Sequence, residues 1–182
     1  MNDVILQTER FDMYHTDREI RDKTIIKAIL DMCDVINIAF FDDEYPYILP
    51  VNFGYEFEDD LIFYTHHAIN GYKNKLVANN PKVCVVTYKF AGHIYNDYDH
   101  SSHDYRSIMA FGEMYFISGD SADYDKAWRA LAKSYGHNIS DALFEPDFKA
   151  RILMAKIVCK PENVIGKAQR SVSSVEQVPF DP

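Results

Sequence analysis

Basic residues are scarce. Nineteen Lys and Arg stand against 28 Asp and Glu, for a formal net charge of −9 at pH 7. Nucleic acid and anionic membrane surfaces both demand a basic face, so neither is expected as a partner. The deficit leaves room for a small anionic ligand, which one local cluster of donors can hold. Cysteine is scarce too. Cys33, Cys84 and Cys159 are far apart and form no C-x-x-C pair, which excludes a zinc ribbon or a thioredoxin-type site and reads as reduced thiols. The seven glycines include no G-x-G-x-x-G and no P-loop. Gly166-Lys167 is followed by Ala168, where a hydroxyl would have to meet Mg²⁺. No G-x-S-x-G elbow occurs. No apolar run approaches the roughly 18 residues of a membrane span, and the acidic start MNDVILQTERFDM is unlike a signal peptide, so a cytoplasmic protein is expected.

What is present is a chain of 182 residues, 47% apolar, long enough for one domain over residues 1–182 with a substantial core. Ile25, Ile26, Ile29 and Leu30 recur at helical spacing between Asp22 and Cys33, with Asp22 placed to cap. Val35–Phe41, Tyr45–Glu56 and Leu61–Thr65 read as three strands separated by the acidic turns 42–44 and 58–60. Pro46 and Pro50 place the second of them at an edge or make it irregular there. A helix over Tyr72–Asn79 ends at Asn80-Pro81, and strands follow over Lys82–Phe90 and Tyr105–Ile117. Ser121 caps a third helix with the stripe Tyr124, Ala127, Trp128, Leu131 and Tyr135, closed by Gly136. A last strand covers Ala150–Val164. This order lacks βαβ alternation. It predicts a mainly β fold, a small antiparallel barrel with peripheral helices.

Three constellations could carry chemistry. Thr65-His66-His67 ends a strand, and Gly71-Tyr72-Lys73 opens the next helix, so hydroxyl, imidazole, ammonium and backbone N–H groups converge where an anion would be favoured. The bland alternative is a solvated turn. In Pro50-Val51-Asn52-Phe53, the Asn52 amide points away from the apolar stripe; it either reads the edge of a heterocycle or satisfies a backbone group freed by Pro50. Between His93 and Asp104 lie His93, His100 and His103, read here as a tyrosine-rich loop and less readily as a metal site. Trp128 and the tyrosines near it read as core.

Taken in order, Asp17-Arg18-Glu19-Ile20, the run Pro46 to Tyr55, the run Ile62 to Ala68 with Gly71-Tyr72-Lys73, Asn80 to Cys84, Tyr105 to Gly112 and Ile165-Gly166-Lys167 resemble the pyridoxamine 5′-phosphate oxidase-related flavoproteins. The branch is the Nim type, named for 5-nitroimidazole resistance. The resemblance implies an FMN-binding split β-barrel that forms a homodimer with the flavin at the subunit interface. It implies that Pro50, Val51, Asn52 and Phe53 lie along the isoalloxazine, and that Tyr64, Thr65, His66, His67 and Lys73 hold the phosphate. Ser107 becomes a phosphate or cross-subunit contact, and His66 the candidate catalytic residue. The implied activity is that of an FMN-dependent oxidoreductase, reducing a nitroaromatic or other small electrophile with electrons from NAD(P)H. Two departures stand out: His67 replaces a small residue of the family motif, and the His93–Asp104 segment is long and charged. The rival expectations are a flavin-binding sensor without turnover, or a metal or haem protein built on the 93–103 histidines.

Overall fold

In the computed structural model, residues 13–95, 101–136, 146–170 and 172–180 are described. Among them are the strands β1 (Glu19–Ile20), β2 (Val35–Phe40), β3 (Tyr47–Asn52), β4 (Gly54–Phe57), β5 (Leu61–Ala68), β6 (Lys82–Tyr95), β7 (Ser101–Ile117), β8 (Ile152–Cys159) and β9 (Val164–Ala168). The helices are α1 (Lys23–Asp31), α2 (Tyr72–Asn79), α3 (Ala122–Ser134) and the short α4 (Pro146–Lys149). All strand pairs are antiparallel, in the order β3-β2-β6-β7-β8-β5-β4, with β9 joining β7 to β1. The expected mainly antiparallel β fold is observed.

The two edges of this path, β3 and β4, are joined by the single residue Phe53. The sheet therefore curls until its edges nearly meet but does not close through hydrogen bonds between them. The sequence pattern Tyr45–Glu56 had suggested one strand. Pro50 sits opposite Asn37 on the edge, where its missing N–H is harmless, and the break falls instead at Phe53. The Phe53 side chain is buried, its ring 5.7 Å from Phe63. Gly54 then lets α3 come close: a Cβ there would lie 2.2 Å from the Ala130 carbonyl carbon.

Inside the curl, Ile36, Ile38, Leu61, Phe63, Val85, Ile108 and Ile157 form the core, covered at one end by the Ile25, Ile26, Ile29 and Leu30 face of α1. Asp22 caps that helix, its carboxylate accepting from the N–H groups of Thr24 and Ile25. A second cluster lies under α3, where Tyr124, Ala127, Trp128 and Leu131 pack on Tyr64, Ile117 and Met154. Tyr135, placed on that stripe by spacing, is instead exposed at the helix end.

Three further expectations change. The strand expected over Ala150–Val164 ends with β8, and after the 3₁₀ turn Pro161–Asn163 the unforeseen strand β9 begins where it was to stop. The third strand reaches Ala68, bringing both histidines into the ladder. The described parts of the segment from His93 to Asp104 are not a loop; they extend the β6–β7 hairpin, with His93 opposite His103. A bulge between Phe90 and Gly92, where Gly92 has φ 140°, marks where this arm leaves the sheet. His100 lies outside the described residues.

Candidate functional site

The site follows from the alternation of β5. Thr65 and His67 share a face with the core residue Phe63, while Tyr64 and His66 point to the opposite face, under α3. The sequence motif Thr65-His66-His67 is thus divided. Thr65 and His67 are buried, and Thr65 Oγ1 and His67 Nε2 share a hydrogen bond of 2.8 Å. Burial, then the positive charge of Lys73, then His66 push the His67 pKa down to about 4, so the ring is neutral at pH 7.

Lys73, in the first turn of α2, completes this cluster. It is only 5% exposed, and its ammonium donates to the Ala68 carbonyl at 3.1 Å. Among the described residues no carboxylate pairs with it. Burial lowers its pKa. A buried cation that donates to one carbonyl, with a neutral imidazole nearby, is under-compensated, and an incoming anion would relieve that directly.

On the other face, the His66 ring stacks on Trp128 at 5.8 Å between centroids and 25° between planes. Its Nδ1 is buried without a hydrogen-bond partner among the described residues, and burial lowers its pKa. Tyr64 OH donates weakly to Glu56 at 3.4 Å, within reach of Lys126, which is ion-paired to Glu56 at 2.6 Å. His66 is therefore separated from His67 by the thickness of the sheet.

A third set of predicted residues lies on the outer face of β3, β2, β6 and β7. Pro50, Asn37, Val86, Met109 and Ile165 form one row across the strands, and Ile48, Ala39, Cys84 and Phe111 the next. Ser107 is flanked by Tyr88 and Lys167 on the same face, and its hydroxyl donates to the Lys167 carbonyl at 3.4 Å. Ile48, Tyr88 and Phe90 are at least half exposed there. Asn52 donates to the Asp34 carbonyl at 3.0 Å, so its amide serves the neighbouring backbone. Val51 packs on the core beside buried Phe53, turned away from this face. At the Ile48 end the surface dips into a groove of about 660 Å³ lined by Phe41, Asp42, Lys82, Cys84, Phe111 and Glu113 among others. The Tyr72 hydroxyl donates to Asp42 at 2.9 Å, and the Tyr72 ring packs against Tyr47 at 5.7 Å. The helix turn that carries Lys73 is thereby tied to the rim of the groove.

The sequence model of the pyridoxamine 5′-phosphate oxidase family matches residues 22–161. The chain belongs to that family. No curated protein sequence matches it. Among solved structures, a proposed 5-nitroimidazole antibiotic resistance protein from Bacteroides thetaiotaomicron is 25% identical with a TM-score of 0.69, covering 82% of this chain and 86% of that one. An FAD- and haem-binding protein from Mycobacterium smegmatis has a TM-score of 0.69 at 19% identity, covering 88% and 78%. A flavocytochrome from Azotobacter vinelandii has a TM-score of 0.68 at 17% identity, covering 91% and 76%. The last two likenesses show the fold.

Within this member of the pyridoxamine 5′-phosphate oxidase family, the structure brings together Thr65, His67 and Lys73, and separately Pro50 and Ser107 on one outer face. Sequence reasoning missed the groove and the Tyr72–Asp42 tie. Alternation in Lys82–Phe90 and Tyr105–Ile117 held the signal for the groove wall, since Cys84 and Phe111 fall on the outward parity of paired strands. Among the described residues no group of three or more His, Cys, Asp or Glu could hold a metal ion, and no helix is long and apolar enough to cross a membrane.

Proposed function

We propose that the protein binds FMN as a homodimer and acts as an oxidoreductase on a small electrophile such as a nitroaromatic, with NAD(P)H as electron donor. The observation that carries this is Lys73, a buried ammonium with no carboxylate partner among the described residues, near the neutral His67 that is hydrogen-bonded to Thr65. That donor set fits a phosphate monoester: one full charge, one hydroxyl and one imidazole, with the first turn of α2 alongside. The groove beside the same helix has the volume of a cofactor site and mixed apolar walls, which suits an aromatic ring system. The exposed row of Ile48, Pro50, Tyr88 and Phe90 supports a second subunit covering this face.

Bound flavin would supply the electron transfer itself. The residues of this chain bind and orient it: Lys73 and Thr65 fix the phosphate, Tyr72 holds the helix turn against Asp42, and Phe111 and Cys84 wall the groove. His66, stacked on Trp128, packs against α3 rather than into the phosphate cluster. The visible spectrum of the purified protein after loading with FMN and desalting tests the reading. Retention of about one flavin per chain is expected; a protein that stays colourless overturns it. Consumption of NADPH with a nitroimidazole by the yellow protein then separates an enzyme from a flavin-binding sensor.

A further inference from the structure

Beyond the bulge at Phe90/Gly92, the β6–β7 arm places His93 and His103 directly opposite one another on antiparallel strands. Their ring centroids are 4.8 Å apart with the planes tilted by 57°. Both side chains are exposed. Phe90 packs edge-on against each, at 5.8 Å from His93 and 5.6 Å from His103, which limits the rotamers open to both rings. We propose that His93 and His103 form a cross-strand chelate for a borderline divalent metal, with Cu(II) held most tightly.

Two imidazole nitrogens bound to one metal each lie at about 2.0 Å from it. Rings whose centroids are already this close reach that geometry by small side-chain rotations, without moving the strands. The donors decide the metal. Imidazole nitrogen suits Cu(II), Ni(II) and Zn(II) and is a poor ligand for Mg(II) and Ca(II), and Cu(II) leads the divalent series. Among the described residues of the arm, the Asp104 carboxylate beside His103 is taken up by Arg106 at 2.6 Å and by Arg170 at 3.8 Å. Both rings are exposed, so water has access to the remaining coordination positions and the site is an exchangeable one. Because the two ligands sit on facing strands, the metal also clamps the arm beyond its bulge.

One equivalent of Cu(II) added to the full-length protein should give a tetragonal electron paramagnetic resonance spectrum with nitrogen superhyperfine structure from two imidazoles. His93→Ala and His103→Ala should each weaken Cu(II) at least tenfold, and the pair together should abolish that signal while far-ultraviolet circular dichroism stays unchanged. Mg(II) should not compete. A two-nitrogen signal that survives in the double variant, or no copper binding at micromolar protein, overturns the proposal. Flavin retention in the double variant is the control that keeps this result separate from the cofactor reading.

Discussion

Among the described residues two cations, Arg106 and Lys73, are buried, and the fold treats them differently. Arg106, 3% exposed, is ion-paired to Asp104 at 2.6 Å, donates to the Gln177 carbonyl at 3.3 Å and lies 4.8 Å under the Phe180 ring. Lys73, 5% exposed, has the Ala68 carbonyl and a neutral imidazole for company. The first is a structural device: it fastens the segment after β9, whose Val178 is buried in the core, to the start of β7. The second has no carboxylate partner among the described residues. Folding alone gives no reason to bury an ammonium that way, whereas binding an anion does.

The largest expected effect breaks the first half of that contrast. Arg106→Met removes one partner of a buried pair and leaves Asp104 with Arg170 alone, so urea denaturation should show a loss of roughly 3 kcal/mol. Lys73→Met should leave stability unchanged or raise it, because the variant removes a buried charge that no carboxylate among the described residues repays. If both variants lose the same stability, the two cations are alike and the contrast fails.

Next in size is the pH response of His67. Its folded pKa, about 4, lies below the ordinary value of 6.5, so the unfolded chain binds the extra proton between those values. The stabilisation is complete above pH 6.5 and disappears as pH falls towards 4, a total of roughly 3 kcal/mol at 1.36 kcal/mol per unit. His66, lowered in the same direction by burial, adds to the slope. Stability curves across this window should flatten in His67→Asn. Sulfate, which does not titrate here, should also shrink the acid loss in the parent protein by stabilising protonated His67 beside Lys73. A slope unaltered by either change would show that His67 does not sense the anion site.

The smallest effect concerns Asn52. Asn52→Ala removes one exposed amide–carbonyl bond to Asp34, and thermal melts should register about 0.5–1 kcal/mol. A loss of flavin affinity tenfold or more with unchanged stability would instead return Asn52 to the cofactor.

Much of the architecture was legible from residue pattern. Alternation and acidic turns gave the meander, Asp22 and Ser121 gave two helix starts, and Pro50 gave an edge. The resemblance supplied the split barrel, and the single buried residue Phe53 between the two sheet edges shows what the split is. What pattern missed was tertiary. The break at Phe53 depends on α3 approaching Gly54, which local propensity does not encode. The segment 93–103 looked like a loop because its charged and histidine-rich composition is poor in strand formers, yet its described residues continue two long ladders. For the site, the motif put Thr65, His66, His67 and Lys73 in one place. The period of two along β5 sends His66 to Trp128 and keeps Thr65, His67 and Lys73 together. Applied to β5, that alternation would have separated the two histidines in advance, had the strand been extended past Thr65.

Lys73 as the cation that receives a flavin phosphate is tested most directly by titrating FMN into the parent protein and into Lys73→Met, following quenching of flavin fluorescence, with both shown to be folded by circular dichroism. Saturable binding near one FMN per chain is expected in the parent, with affinity weaker by at least a hundredfold in the variant. Equal affinity in the two proteins would contradict it.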